Sequence, residues 1–367
     1  MRKFKNVRYY DVKEDLAKYP DAWCYLAWSK RGPGKTYSTL RLMVENGTKF
    51  LFLKRTSKDV ELLCKGVAEG NADTDLDLSP FKPLNRDFGW SIYPKLIMDG
   101  FAAFYEMVTD SDGMHPVKLI GYAMSLAKGT AFKGFDMSEI DYLIFDEFIQ
   151  KPWERLINRQ EGEALVDLYM TLTRDRIKRG RPELKMICIA NATNVSNPTF
   201  TVLDVVNIAA DMDVTNTEYY YDEYRGIMMH FINYSDDLVD EEGNVYKMGI
   251  ERAMEGTAWA EMAFGGHFAY NDFTGIGKVK LKHHKVLYSF IHQKHEYFVY
   301  RKEKEYFVCR IRGKTDTTFD LSREVEQKNF YLRKAKDLRM HAIEGNVIFC
   351  DYVSYDLIMN YKKIYVV

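Results

Sequence analysis

Cysteine is scarce in this 367-residue chain, and the five present (Cys24, Cys64, Cys188, Cys309 and Cys350) form no CxxC pair and no Cys/His spacing suited to zinc. That argues against a disulfide scaffold and a zinc site, and the thiols read as the reduced, mostly buried cysteines of a cytosolic protein. No apolar run approaches the ~20 residues of a membrane span. Residues 1–5 are basic with no apolar stretch behind them, so neither a secretory signal nor a membrane partner is expected. There is no internal repeat and no low-complexity segment. Net charge is nearly absent too, with 52 Lys+Arg against 53 Asp+Glu, so the overall balance names no partner. Its distribution is uneven. Residues 276–367 carry 19 Lys+Arg and 11 Asp+Glu, an excess of 8, which leaves −9 for the rest of a chain whose total is −1. Five of the eight histidines lie in the same section. A basic section of this kind predicts an acidic partner, with nucleic acid the first candidate.

Length and hydrophobic content suffice for one large core and a second, smaller domain. The first half alternates short apolar runs with helix-like stretches. Strands are predicted over 23–28, 49–53, 117–123, 142–145 and 186–190, and helices over 36–45 and 163–172. Asn46-Gly47 is a helix stop, with glycine just past the C-terminus. Near-continuous apolar strands separated by helices indicate an α/β unit with a mainly parallel central sheet covered on both faces. Residues 71–86 read as an acidic, proline-containing loop, an insertion or lid. From 211 to 244 the chain is acidic and tyrosine-rich, followed by a helix-like segment over 246–263, together a connecting region. Beyond residue 275 it becomes basic and β-rich, with a three-stranded meander over 285–290, 297–301 and 306–312. The expected division is 1–210, a linker over 211–274, and a basic C-terminal domain over 275–367.

Ser29-Lys30-Arg31-Gly32-Pro33-Gly34-Lys35-Thr36 follows the first strand and opens a helix. Apart from Ser29, which stands where glycine is usual, it fits the phosphate-binding loop G-x-x-x-x-G-K-[ST]. Backbone N–H groups that wrap a β-phosphate need unusual dihedrals and no Cβ in the way, and the helix N-terminus faces the anion. Lys35 is expected to bridge the β- and γ-phosphates and the Thr36 hydroxyl to ligate Mg²⁺. The strand at 142–145 ends in Asp146-Glu147, which would supply a metal-side carboxylate, Asp146, and a general base, Glu147. Together these predict a nucleotide-hydrolysing enzyme. Arg31 inside the loop, and Arg174 and Arg176 after a helix, are candidates to stabilise charge on the γ-phosphoryl group. Asn191, at the end of the fifth strand, is placed to sense that phosphate.

These strings occur in an order that resembles the DNA-packaging (encapsidation) ATPases of small protein-primed tailed phages, the phi-29 type, which are related to the large terminases. The loop 31–36, the strand 50–55 ending in two basic residues, Ile144-Phe145-Asp146-Glu147-Phe148-Ile149, Arg174-Asp175-Arg176, the Asn191–Phe200 string with Asn197-Pro198, and Gly256-Thr257 with Glu261-Met262 carry the resemblance. It implies an ASCE-type P-loop ATPase domain, a helical linker and a smaller α+β C-terminal domain like a reduced RNase H-like fold. It implies ATP and Mg²⁺ as cofactors and a homo-oligomeric ring, pentameric by resemblance, that drives double-stranded DNA into a preformed capsid through the portal. A structural RNA is a further possible partner. Arg174 would be the arginine finger offered in trans, with Lys133 a further basic residue near the subunit boundary. The protein would act in the host cytoplasm, transiently at the portal vertex, and be absent from the mature virion. The first strand of the basic section holds no aspartate, so nuclease activity is not expected of that domain, which is left a nucleic-acid or capsid-docking role. The alternatives are a nucleotide-dependent switch or small-molecule kinase, opposed by the absence of an N/T-K-x-D guanine-reading string, and a non-enzymatic scaffold, opposed by intact Lys35, Thr36, Asp146 and Glu147.

Overall fold

The computed structural model describes residues 4–5, 8–65, 77–111, 113–132, 137–151, 154, 157, 160–234, 238–240, 242, 245–268 and 271–365. The chain forms two compact units, residues 1–203 with 211–270 and residues 204–210 with 271–367.

Among the described residues, the frame of the first unit is a nine-stranded sheet. Its strands are β1 (Cys24–Ser29), β2 (Phe50–Lys54), β3 (Ile92–Met98), β4 (Phe101–Asp110), β5 (Gly113–Ser125), β6 (Tyr142–Asp146), β7 (Lys185–Asn191), β8 (Tyr219–Asp222) and β9 (Ile227–Ile232). They lie in the order β3-β4-β5-β2-β6-β7-β1-β9-β8. The six from β5 to β9 pair in parallel, while β3, β4 and β8 add antiparallel edges. The apolar runs form the centre because both faces are covered: every residue of β1 is buried, as are β2, β6 and β7 apart from residues at their ends. Helices α1 (Val12–Lys18), α2 (Lys35–Glu45) and α3 (Glu161–Thr173) belong to this unit. Gly47, just past α2, has φ +61°, as the Asn46-Gly47 stop requires.

Three expectations are corrected. Residues 82–86, expected as loop, lie in a helix, Lys82–Phe88, with proline in its first turn, where a missing N–H costs nothing; residues 71–76 lie outside the described residues. Residues 219–232, assigned to the connecting region, supply β8 and β9, and β9 pairs directly with β1. Ile227–Ile232 is a fully buried strand, apolar except for His230, obscured in a composition reading by its acidic, tyrosine-rich flanks. The helix-like stretch over 246–263 resolves into short pieces, Gly249–Met254 and Ala258–Ala260, followed by a π-helical turn, Glu261–Gly265.

In the second unit, β10 (Lys285–His292), β11 (His295–Lys302) and β12 (Glu305–Cys309) form the expected antiparallel meander. Two further strands, β13 (Thr318–Asp320) and β14 (Val347–Phe349), lie parallel to β10 and β12 at its edges. One face packs Phe290 and Phe319 against Phe330 and Tyr297 against Phe290, and the other buries Phe298, Tyr300, Phe307 and Cys309.

Candidate functional site

The site lies at the C-terminal ends of the parallel strands, where α/β sheets bind ligands. Ser29 at the end of β1 is in register with Asn191 at the end of β7. On the other side of β7, Asp146 at the end of β6 is in register with Ile189. The loop strand and the acid strand are thus separated by one strand, and that strand carries Asn191 between them.

From Ser29 the chain turns through the loop into α2. Gly32 and Gly34 have φ of +94° and +85°, and Gly34 is the N-cap of α2. A side chain at Gly34 would strain the turn that aims the first N–H groups of α2 at the loop's concave side. The loop is tied down from two directions. The N–H of Tyr10 donates to the Pro33 carbonyl at 2.9 Å, and the N–H of Arg31 donates to the Ala263 carbonyl at 3.3 Å. A Cβ at Gly266 would stand 2.7 Å from the Lys30 nitrogen, so a glycine is needed for that segment to lie so close. Beneath the loop, Trp28 packs against Phe200 and Phe268, and Phe200 against Phe148. Phe200 is fixed by Asn197, which caps helix Pro198–Val202 and accepts the Phe200 N–H at 2.9 Å.

Ser29 is buried, and its hydroxyl has a definite part. It donates to the Lys30 carbonyl at 2.6 Å and accepts from Lys35 Nζ at 2.5 Å. The Lys35 ammonium also reaches the Lys30 carbonyl at 3.2 Å and Asn191 Oδ1 at 3.3 Å. Burial drives its pKa down to about 7 against the opposing pull of Asp146 and Glu147. Thr36 Oγ1 donates to Asp146 Oδ1 at 3.0 Å. Lys30 is partly buried and Arg31 exposed.

Sequence reasoning gave no role to Lys54, the last residue of β2. Its ammonium bridges the acid pair, at 3.0 Å from Asp146 Oδ2 and 3.1 Å from Glu147 Oε2. Burial pulls its pKa down, but the two carboxylates outweigh burial and raise it. Glu147 has φ +58°, a left-handed conformation uncommon outside glycine, and its N–H donates to the Ile189 carbonyl at 2.8 Å. Burial pushes its carboxyl up, but Lys54, then Lys151 and Arg31, hold it below its ordinary value. The neighbouring Arg55 binds both oxygens of buried Glu161 at 2.8 and 3.0 Å, and Glu154 at 2.9 Å, fixing the start of α3. A cavity of about 560 Å³ opens here, lined by Arg55, Asp59, Asp146, Glu147, Lys151 and Glu154 among others. The available signal for Lys54 was its position: like Asp146, it ends a buried central strand.

The two arginines after α3 have different fates. Arg174 is exposed, just past the end of α3, and among the described residues no hydrogen bond or ion pair involves its guanidinium. Arg176 is 1% exposed. It donates to Asp141 Oδ1 at 2.7 Å and to the carbonyls of Ser138, Ile140 and Pro182. It is therefore not available to a neighbouring subunit, a correction to the expectation that either arginine could reach one. Arg176→Ala would take the side-chain donor from the Ile140 and Pro182 carbonyls and leave Arg181 alone on Ser138 and Asp141, and is expected to cost about 3–5 kcal/mol. Arg174→Ala should change stability by no more than ~0.5 kcal/mol. Denaturant unfolding of both variants checks this. Lys133 lies outside the described residues.

A basic loop at a helix N-terminus, a buried lysine and a facing acid pair thus meet at one end of the sheet. The chain belongs to the podovirus DNA encapsidation protein (Gp16) family, whose model matches residues 106–344, and its function is DNA packaging. The matched stretch contains Asp146, Glu147, Arg174 and Asn191 and begins beyond the loop. The DNA packaging protein of Bacillus phage B103 is 24% identical over 339 residues, 91% of this chain and 85% of that protein. That of Bacillus phage PZA is 27% identical over 175 residues, 48% of this chain and 47% of that protein. Among solved structures, the Phi-28 gp11 DNA packaging motor shares the fold with a TM-score of 0.61 at 16% identity over 98% of each chain. The bacteriophage Phi-29 viral genome packaging motor assembly does so with 0.58 at 17% identity, over 97% of this chain and 99% of that one. The family resemblance carried by the ordered strings is thereby borne out.

Proposed function

We propose that this protein is an ASCE-type P-loop ATPase that drives double-stranded DNA into a preformed capsid as a homo-oligomeric ring at the portal, acting in the host cytoplasm. The observation that carries the reading is the contact chain Asn191–Lys35 and Thr36–Asp146–Lys54–Glu147 at adjacent strand ends. A buried lysine, a second lysine and two carboxylates thus stand together at the C-terminal ends of neighbouring strands, which supports binding and hydrolysis of a nucleoside triphosphate. The loop N–H groups and Lys35 hold the β- and γ-phosphates. Glu147, kept ionised by its basic neighbours, takes the proton of the attacking water. Asn191 holds Lys35 from the neighbouring strand. Arg174 is the residue free to act on another subunit.

Among the described residues no group of three or more His, Cys, Asp or Glu side chains could hold a metal by itself. This fits Mg²⁺ rather than opposing it, because Mg²⁺ takes one or two protein oxygens and fills its shell with phosphate and water. Thr36 and Asp146, already 3.0 Å apart, would hold it, and it would neutralise charge on the phosphates. The basic second unit supplies the docking surface for DNA, the portal or a structural RNA. Its meander with a parallel strand beside the first supports a reduced RNase H-like reading.

The direct test is ATP turnover with and without double-stranded DNA. Turnover stimulated by DNA is expected, and a wild-type protein silent under both conditions would overturn the motor reading. Lys35 gives a second prediction. Its pKa is depressed to about 7, whereas phosphate requires the charged form. ATP affinity should be full below pH 7 and weaken as pH rises above it, by at most about tenfold per unit. At pH 8, above that pKa, binding should be accompanied by proton uptake. Calorimetry in buffers of different ionisation enthalpy reads that uptake directly.

A further inference from the structure

Residues 9–12 run beside the junction of the loop and α2 and are anchored to it at several points. The Tyr10 N–H donates to the Pro33 carbonyl at 2.9 Å. The Val12 N–H donates to Ser38 Oγ at 2.9 Å, and Asp11 accepts from the Ser38 hydroxyl at 3.3 Å and meets Arg41 at 3.5 Å. The Tyr10 side chain is buried, and its hydroxyl donates to Asp15 Oδ2 at 2.8 Å. Asp15, itself fully buried, also meets His230 Nδ1 of β9 at 2.9 Å. These contacts fix the backbone on which residue 9 stands relative to Gly34.

Tyr9 itself gives little of its ring to the core. It is 67% exposed, yet its Cδ1 lies 3.7 Å from where Gly34 would carry a Cβ. One exposed aromatic is ordinary. A rigidly based ring at the N-cap of the loop helix is in a more particular position. With the β-phosphate in the loop, the α-phosphate and sugar must lead outward past the start of α2, and a nucleobase then arrives near the exposed Tyr9 ring.

We propose that Tyr9 is the nucleobase platform of the site, stacking its ring on the base of the bound nucleoside triphosphate. The proposal rests on the phosphate-loop reading of residues 29–36. Stacking on an aromatic face tolerates any base. Tyr9 therefore adds affinity for a nucleoside triphosphate over a bare triphosphate, without selecting adenine.

The test titrates the full chain with two probes, ATP and inorganic tripolyphosphate, which has no base. Tyr9→Leu is expected to weaken ATP about tenfold and leave tripolyphosphate unchanged. Tyr9→Phe should preserve both affinities, because it keeps the ring. Lys35→Ala should weaken both probes together, which reports on the loop independently of Tyr9. The proposal is overturned if Tyr9→Leu leaves ATP binding unchanged, or if it weakens both probes equally, since Tyr9 would then act by shaping the loop. If Lys35→Ala affects neither probe, the loop reading falls and takes the proposal with it.

Discussion

Glu147→Gln is expected to lower DNA-stimulated ATP turnover by about 10²–10⁴-fold while leaving ATP binding nearly unchanged. The substitution preserves size and an oxygen that can face Lys54, and removes the negative charge and with it the ability to accept a proton. On the proposed reading, two features favour this carboxylate over Asp146 as the base. Asp146 already accepts from Thr36 and from Lys54, which suits a metal-side ligand, whereas Glu147 has one of these partners, Lys54, and a half-exposed side chain. Its left-handed backbone, φ +58°, turns it out of the strand direction and against the inclination of a non-glycine residue. Asp146→Asn should act differently, weakening Mg²⁺-dependent binding. Single-turnover rates and equilibrium ATP binding on the same preparations separate the two. Near-normal turnover by Glu147→Gln would mean that the proton leaves by another group.

The parallel centre of the sheet was legible in advance because buried parallel strands are nearly unbroken apolar runs, and five of its six members were read as such. What escaped was structure that composition obscures. The run at Ile227–Ile232 sits between acidic, tyrosine-rich flanks. β4 is buried over its first four residues and alternates or is exposed beyond them, and β3 is an edge strand interrupted by Pro94. Neither resembles a core strand in sequence. At the site, residues whose chemistry is local were legible: a glycine that needs positive φ, a lysine at a helix start, two acids at a strand end. Residues whose part depends on a distant partner were not. Lys54 gains its place only when β2 is laid beside β6, which brings it within reach of Asp146. Arg176 and Arg174 stand two positions apart, and tertiary packing alone decides that one is buried on Asp141 and the other exposed. Ser29 reads as a flaw in the loop pattern until its hydroxyl is seen holding Lys35.

Arg174→Ala is expected to reduce DNA-stimulated turnover by about 10³-fold or more if its guanidinium completes the site of a neighbouring subunit. ATP binding and folding should be close to wild type, because Arg174 is exposed and makes no contact with Lys35, Asp146 or Glu147 among the described residues. A loss of activity alone would not distinguish action on a neighbour from action within the subunit. Mixing would. A subunit carrying Glu147→Gln keeps its Arg174, and a subunit carrying Arg174→Ala keeps its Glu147. Where the second receives the arginine of the first, one complete site forms from two inactive proteins. Co-assembled in equal amounts with DNA, the two variants should recover a measurable fraction of wild-type turnover, whereas each alone stays silent. Recovery should disappear when both substitutions are carried by one chain mixed with either single variant, because every possible junction then lacks the arginine or the base. If equal mixtures stay as inactive as their components, Arg174 does not act across a subunit boundary. The exposed Arg31 of the loop, whose charge already lowers the Glu147 carboxyl, becomes the arginine that acts in cis.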